Sequence, residues 1–150
     1  VGMGTTITLG IIYDKEVFIG HLGDSRAYLY SKHELYQITQ DHSLVAELVR
    51  NGSISNEEAI NHPQKNIITR ALGTDTEIKV DIITRDLSDG DIIILCTDGL
   101  TNLVNDEKIK EVLNDCVDLR QACCILTDVA NEMGGFDNTT VMIIRYVEKR

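Results

Sequence analysis

With 150 residues, of which 43% are hydrophobic and 25% charged, the chain has the length and composition of one soluble domain with a real core. Its net charge of −10 argues against a nucleic-acid partner, since phosphate-backbone binders carry a basic face; plain solubility or a site that gathers cations fits that charge. No apolar run approaches the roughly 20 residues of a membrane helix and no charged-then-apolar leader opens the chain, so no membrane partner is expected and the expected location is cytoplasmic.

Taken in chain order, Thr6 to Tyr13 and Val17 to Leu22 are β-rich runs around a short Asp14-Lys15-Glu16 turn, which predicts a hairpin. "GDSR" (Gly23 to Arg26) interrupts. Ala27 to Ser31 and Glu34 to Thr39 then predict two more strands around a turn at Lys32 and His33. Leu44, Val45, Leu48 and Val49 recur at helical spacing with Gly52 as a stop. Ser55 with Glu58 three residues later predicts a capping box for a short second helix, ended by His62-Pro63. A looser segment, Gln64 to Thr76, leads to a strand over Ile78 to Thr84.

After the turn "LSDGD", Ile92 to Cys96 is an apolar run of the kind buried on both faces of a sheet, stopping at Thr97, Asp98 and Gly99. Asn105 or Asp106 caps a helix that buries Ile109, Val112 and Leu113. A second runs from Asp118 to Met133 with a stripe of Leu119, Ala122, Cys123, Leu126, Val129, Ala130 and Met133. Asn138 to Val147 is the closing strand. The fold expected is one compact α+β unit over residues 1–150, helices laid on sheet. None of Cys96, Cys116, Cys123 and Cys124 forms a C-x-x-C zinc pattern, and all four are expected as buried, reduced thiols.

Three aspartates share a setting. Asp24, Asp98 and Asp137 each lie at a strand terminus beside glycine or turn-forming residues. Gathered at one rim, three carboxylates repel one another unless a cation sits among them, and an oxygen-only donor set suits Mg²⁺ or Mn²⁺. The other reading is a turn choice, because Asp beside Gly is common in turns.

The chain resembles the metal-dependent protein phosphatases of type 2C. The residues that carry the resemblance are "GMGTT" (Gly2 to Thr6), "GDSRAYL" (Gly23 to Leu29), "DHSLVAELVRNGSIS" (Asp41 to Ser55), "EEAINHPQKNIITRALG" (Glu57 to Gly73), "LCTDGL" (Leu95 to Leu100) and "GGFDNTTVMII" (Gly134 to Ile144), in family order. The form is closest to stand-alone bacterial members. The resemblance implies a sandwich of two antiparallel β-sheets flanked by helices, with a metal centre at one end. It implies that Asp98 and Asp137 are catalytic metal ligands for two main Mn²⁺ or Mg²⁺ ions, and that Asp24 helps to bind a third, weaker one. It implies hydrolysis of phosphoserine and phosphothreonine in proteins by a metal-activated water, with phosphoproteins as substrates and a Ser/Thr kinase and its targets as partners in bacterial signalling. Leu44 to Leu72 resembles the family's mobile flap.

The chain departs from the family pattern at its front. An Arg that holds phosphate, an acidic pair and an Asp-Gly-Met-Gly-Gly-like loop precede "GMGTT" in the family, and the chain opens on Val1. The expectation is therefore an incomplete catalytic domain, poor in metal affinity and activity by itself, with apolar sandwich faces left uncovered. The alternative is a non-catalytic phosphatase-like binding or regulatory module.

Other chemistries fit less well. "GDS" makes Ser25 a nucleophile candidate, but a serine esterase needs a late Asp-x-x-His, and the last histidine is His62. "GMGTT" lacks the P-loop lysine. His42 is read as satisfying a helix start or loop, His21 as packed in a strand, Arg26 as an ion-pair partner near the Asp24 turn, Asn138 as orienting the Asp137 turn, and Arg70 as solvated.

Overall fold

The computed structural model describes residues 2–74 and 77–149; the last two residues of the expected 64–76 segment, Asp75 and Thr76, lie outside the described residues, as does Val1. Strands β1 (Ile7–Tyr13) and β2 (Glu16–Leu22) form the predicted hairpin, Tyr13 pairing with Glu16. Asp14 turns it at a left-handed φ of 54°, a conformation that Asp tolerates. Strands β3 (Arg26–Ser31) and β4 (Glu34–Gln37) form a second hairpin through Lys32 and His33, also left-handed at 52° and 66°. Helix α1 (Leu44–Arg50) ends as its Gly52 predicts: Gly52 N–H reaches Val49 O and Ser53 N–H reaches Leu48 O, the two bonds of a Schellman cap. Helix α2 (Asn56–Ile60) carries the predicted box, Glu58 N–H donating to Ser55 Oγ at 3.2 Å and Ser55 N–H to Glu58 Oε2 at 2.7 Å.

Strand β5 is Asp81–Asp86, three residues later than the expected start at Ile78. Its partner explains the shift. Asp81 faces His21 near the end of β2, and beyond Leu22 the chain turns away at Gly23, so Ile78 to Val80 have no strand to pair with. Strand β6 (Ile92–Cys96) is followed by a short helix that the sequence reading missed, α3 (Asp98–Thr101). Helix α4 (Asp106–Asp115) is capped by Asn105, whose Oδ1 accepts from Lys108 N–H at 2.9 Å. Helix α5 (Leu119–Glu132) precedes β7 (Val141–Arg145), which is shorter at both ends than predicted because β6 offers it five paired positions.

The strands make two antiparallel sheets, ordered β1-β2-β5 and β4-β3-β6-β7. Between them lie Val17, Ile19, Ala27, Ile38, Leu87 and Ile93, joined by half-buried Leu29, Ile83, Leu95 and Ile144. Alternate residues of the larger sheet face the other way. There Tyr28, Tyr30, Ile92, Ile94 and Cys96 pack with Leu100, Ile109, Val112, Leu113, Ala122, Leu126 and Ala130 of α3, α4 and α5. This second cluster is why β6 reads as a continuous apolar run. Each fully buried Ile or Leu, such as Ile94 or Leu126, contributes about 1.5–3 kcal/mol of burial.

Helices therefore cover one outer face of the sandwich among the described residues. The other, formed by β1, β2 and β5, presents Ile7, Leu9, Ile11, Tyr13 and Ile82 to solvent, the last 71% exposed. Two smaller expectations are corrected. Met133 is exposed because it follows the last turn of α5 instead of facing the sheet. Of the four free cysteines only Cys96 is buried, and burial pushes its thiol up to about 12; Cys124 is exposed, on the opposite side of α5 from its buried stripe. No described helix is long and apolar enough to cross a membrane.

Candidate metal centre

Strand register gathers the three aspartates. Cys96, the last residue of β6, pairs with Arg26 at the start of β3 on one side and with Val141 at the start of β7 on the other. Asp24 lies two residues before Arg26, Asp98 two after Cys96, and Asp137 four before Val141, so all three project from one rim of the larger sheet.

Asp98 heads α3 and follows Thr97, which is locked to the loop before β7. Thr97 N–H donates to Thr140 O at 3.1 Å, Thr140 N–H returns to Thr97 Oγ1 at 3.0 Å, and the Thr97 hydroxyl donates to Asn138 O at 3.2 Å. Asn102 Nδ2 orients the Asp98 carboxylate by donating to Oδ2 at 3.2 Å. Asp137 is exposed, and Asn138 N–H donates to its Oδ1 at 2.7 Å, so Asn138 acts through its backbone in shaping that turn. Burial, reinforced by the charge of Asp98, raises the Asp24 carboxyl to about 6. Burial and then the charge of Asp137 raise Asp98. Asp98 thus feels one carboxylate and is felt by the other.

The residues fit a hard divalent ion in donor type and in need: all are oxygen donors, and two resist ionising without a neighbouring positive charge. Close by, Thr139 Oγ1 is buried without a hydrogen-bond partner among the described residues, 3.1 Å from where a Gly99 Cβ would stand. They do not close a cage. Among the described residues no group of three His, Cys, Asp or Glu side chains lies close enough to hold a metal ion.

Asp24 and Asp98, but not Asp137, open onto a groove of about 790 Å³ between the sheet rim and the α1–α2 segment, lined also by Arg26, Asp41, Arg50 and Lys65 among others. Arg26 is an ion-pair residue, as read: its Nε and Nη2 grip both oxygens of Asp41, the closest contact being 2.7 Å. Arg70, expected to be solvated, instead pairs with Asp81 at 3.2 Å. The Ser25 hydroxyl pairs with Thr6 Oγ1 at 3.0 Å rather than with an imidazole, which removes the esterase reading. Sequence reasoning missed Asp41 and Asp81 as organising carboxylates. The one signal was an acid opening the apolar run "VDII", and nothing local said which basic group it would meet.

A two-sheet α+β sandwich with an acidic rim at the end of β6 is the architecture that the motifs suggested. The chain belongs to the protein phosphatase 2C family, whose model matches residues 2–139. It is 44% identical over 143 residues to the serine/threonine phosphatase stp of Listeria monocytogenes, a match covering 95% of this chain and 57% of that protein. Among solved structures, the serine/threonine phosphatase PstP/Ppp of Mycobacterium tuberculosis superposes with a TM-score of 0.91 at 40% identity, covering 99% of this chain and 62% of that one. The catalytic domain of PstP in complex with 2 manganese ions superposes at 0.89 with 38% identity, covering 98% and 60%. The chain therefore spans about three-fifths of the length of the relatives it matches.

Proposed function

We propose that this chain is the larger, C-terminal part of a single catalytic domain that hydrolyses phosphoserine and phosphothreonine in proteins, dependent on Mn²⁺ or Mg²⁺. The observation that carries the reading is the position of Asp98, set by β6 at the head of a groove and within electrostatic reach of both Asp24 and Asp137. In this reading Asp98 and Asp137 hold the main ions and Asp24 a weaker third. Bound there, such ions supply Lewis acidity towards phosphate and a nucleophilic water at neutral pH. The chain's own groups do the rest. Asn102 keeps Asp98 aimed at the rim, the Asn138 amide keeps Asp137 turned, and Arg50 and Lys65 offer positive charge along the groove to a phosphorylated polypeptide. The cytoplasm, and a Ser/Thr kinase acting on the same targets, are the setting we propose for it.

A second reading, a phosphatase-like module that binds without catalysis, is favoured by one observation: the described acidic residues form no three-ligand cage. Mn²⁺-dependent hydrolysis of p-nitrophenyl phosphate, with EDTA as control, separates the two. The proposal expects little or no turnover from this chain alone and EDTA-sensitive turnover once it is extended to the length of its relatives. A folded, extended protein without turnover would leave the module.

A further inference from the structure

Gly23 and Asp24 join β2 to β3, and a single residue from elsewhere in the chain holds both backbone polar groups of Gly23. The His42 amide donates to Gly23 O at 2.8 Å, and Gly23 N–H donates to His42 Nδ1 at 3.0 Å. Because Nδ1 accepts, the ring carries its proton on Nε2, and that N–H donates to Asp81 Oδ2 at 2.9 Å. Asp81 Oδ1 receives Arg70 Nη1 at 3.2 Å. His42 is 2% exposed, and its ring packs on fully buried His21 with 4.8 Å between centroids. His21 takes the same tautomer, donating from Nε2 to Gln40 O at 3.1 Å and accepting the Thr8 hydroxyl at Nδ1 at 3.0 Å. Every ring nitrogen of the pair thus meets a polar partner, and Arg70 Nη1 also lies 3.3 Å from His42 Nε2.

The turn they hold needs holding. Gly23 sits at φ +116°, and a Cβ there would stand 2.3 Å from Thr6 Cγ2, so the backbone threads a space that only glycine fits. Asp24 is the next residue in the chain, so the backbone of this turn sets where its side chain leaves the sheet rim. His42 also anchors the segment returning from α2, since Thr69 N–H donates to His42 O at 2.8 Å.

We propose that His42 is a positioning residue for Asp24, clamping the Gly23–Asp24 turn from both sides, and that Asp81 fixes the imidazole that does so. The inference rests on the reading of Asp24 as a metal ligand. A ring held only by packing would need neither the Nδ1 acceptor nor a carboxylate behind Nε2; here each is present at hydrogen-bonding distance.

The test uses the full chain and NMR. The ¹⁵N signals of His42 are expected to show the Nε2–H tautomer, and an Nδ1–H tautomer overturns the proposal before any variant is made. Asp81→Ala is expected to speed exchange of the Gly23 amide about tenfold while Ile94 in β6 keeps its protection. It is also expected to raise by about threefold the Mn²⁺ concentration that half-broadens the Asp24 amide, and Asp81→Asn, which keeps an acceptor for Nε2–H, restores both. Gly23 exchange unchanged in Asp81→Ala, or accelerated equally at Ile94, overturns the proposal. Mn²⁺ that leaves Asp24 unbroadened in the parent chain sinks the ligand reading of Asp24 alone, and the exchange result still decides whether His42 and Asp81 hold the turn.

Discussion

A methyl group on Gly99 would stand 2.3 Å from the carbonyl oxygen of Asn138. The head of α3 and the loop before β7 are in backbone contact there, and this contact brings Asp98 and Asp137 to the same rim. Glycine is required by the approach and not by its φ, since Gly99 lies in an ordinary helical turn. Gly99→Ala is therefore expected to part the two segments and to destabilise the chain by about 1–3 kcal/mol, the range for overpacking. Urea denaturation checks it, and an unchanged midpoint would mean that the loop gives way freely.

Asp24 predicts a pH dependence with a definite sign. Its folded-state value, about 6, lies above the 3.8 of an unperturbed Asp, so the folded chain holds that proton more tightly than the unfolded one. The stabilising effect of the proton is complete below pH 4 and is lost as pH rises through 6. Without metal, Asp24→Asn should raise the melting temperature at pH 7, by about 1 kcal/mol in stability once partial solvation is allowed for, and change little near pH 3.5. Equal gains at both pH values would contradict the burial and Asp98 repulsion that raise it.

Turnover discriminates among the three carboxylates. In a protein extended to the length of the relatives, Asp98→Asn and Asp137→Asn should abolish Mn²⁺-dependent hydrolysis while far-UV circular dichroism stays unchanged. Asp24→Asn should act more mildly, moving the metal-concentration profile and sparing the plateau rate. Parent-level rates in Asp98→Asn would remove it from the site.

The bare outer face of the smaller sheet predicts association. Ile7, Leu9, Ile11, Tyr13 and Ile82 lie together on it, and β1 is an edge strand with no partner on its far side among the described residues. The isolated chain should bind the dye ANS and sediment as more than a monomer, with Leu9→Lys combined with Ile11→Lys reducing both. A monodisperse monomer that ignores the dye would contradict this.

Local pattern carried a good part of the architecture. The capping box at Ser55 and Glu58, the stop at Gly52, the two hairpins and the doubly buried run at Ile92 to Cys96 are short-range consequences of side-chain chemistry, and each is found where the pattern puts it. The strand ends at Ile78 and Asn138 were misjudged because a strand stops where its partner stops, which its own residues do not encode. For the site, the sequence by itself singled out Asp24, Asp98 and Asp137 as carboxylates at the ends of strands. Only the antiparallel register of β3, β6 and β7 placed them on one rim, and only the closure of Gly99 on Asn138 joined the Asp98 and Asp137 segments. The pairings of Asp81 with His42 and of Asp41 with Arg26 were likewise settled by tertiary structure. A charged side chain finds its partner across space, over separations of 39 and 15 residues here, and no periodicity reports that distance.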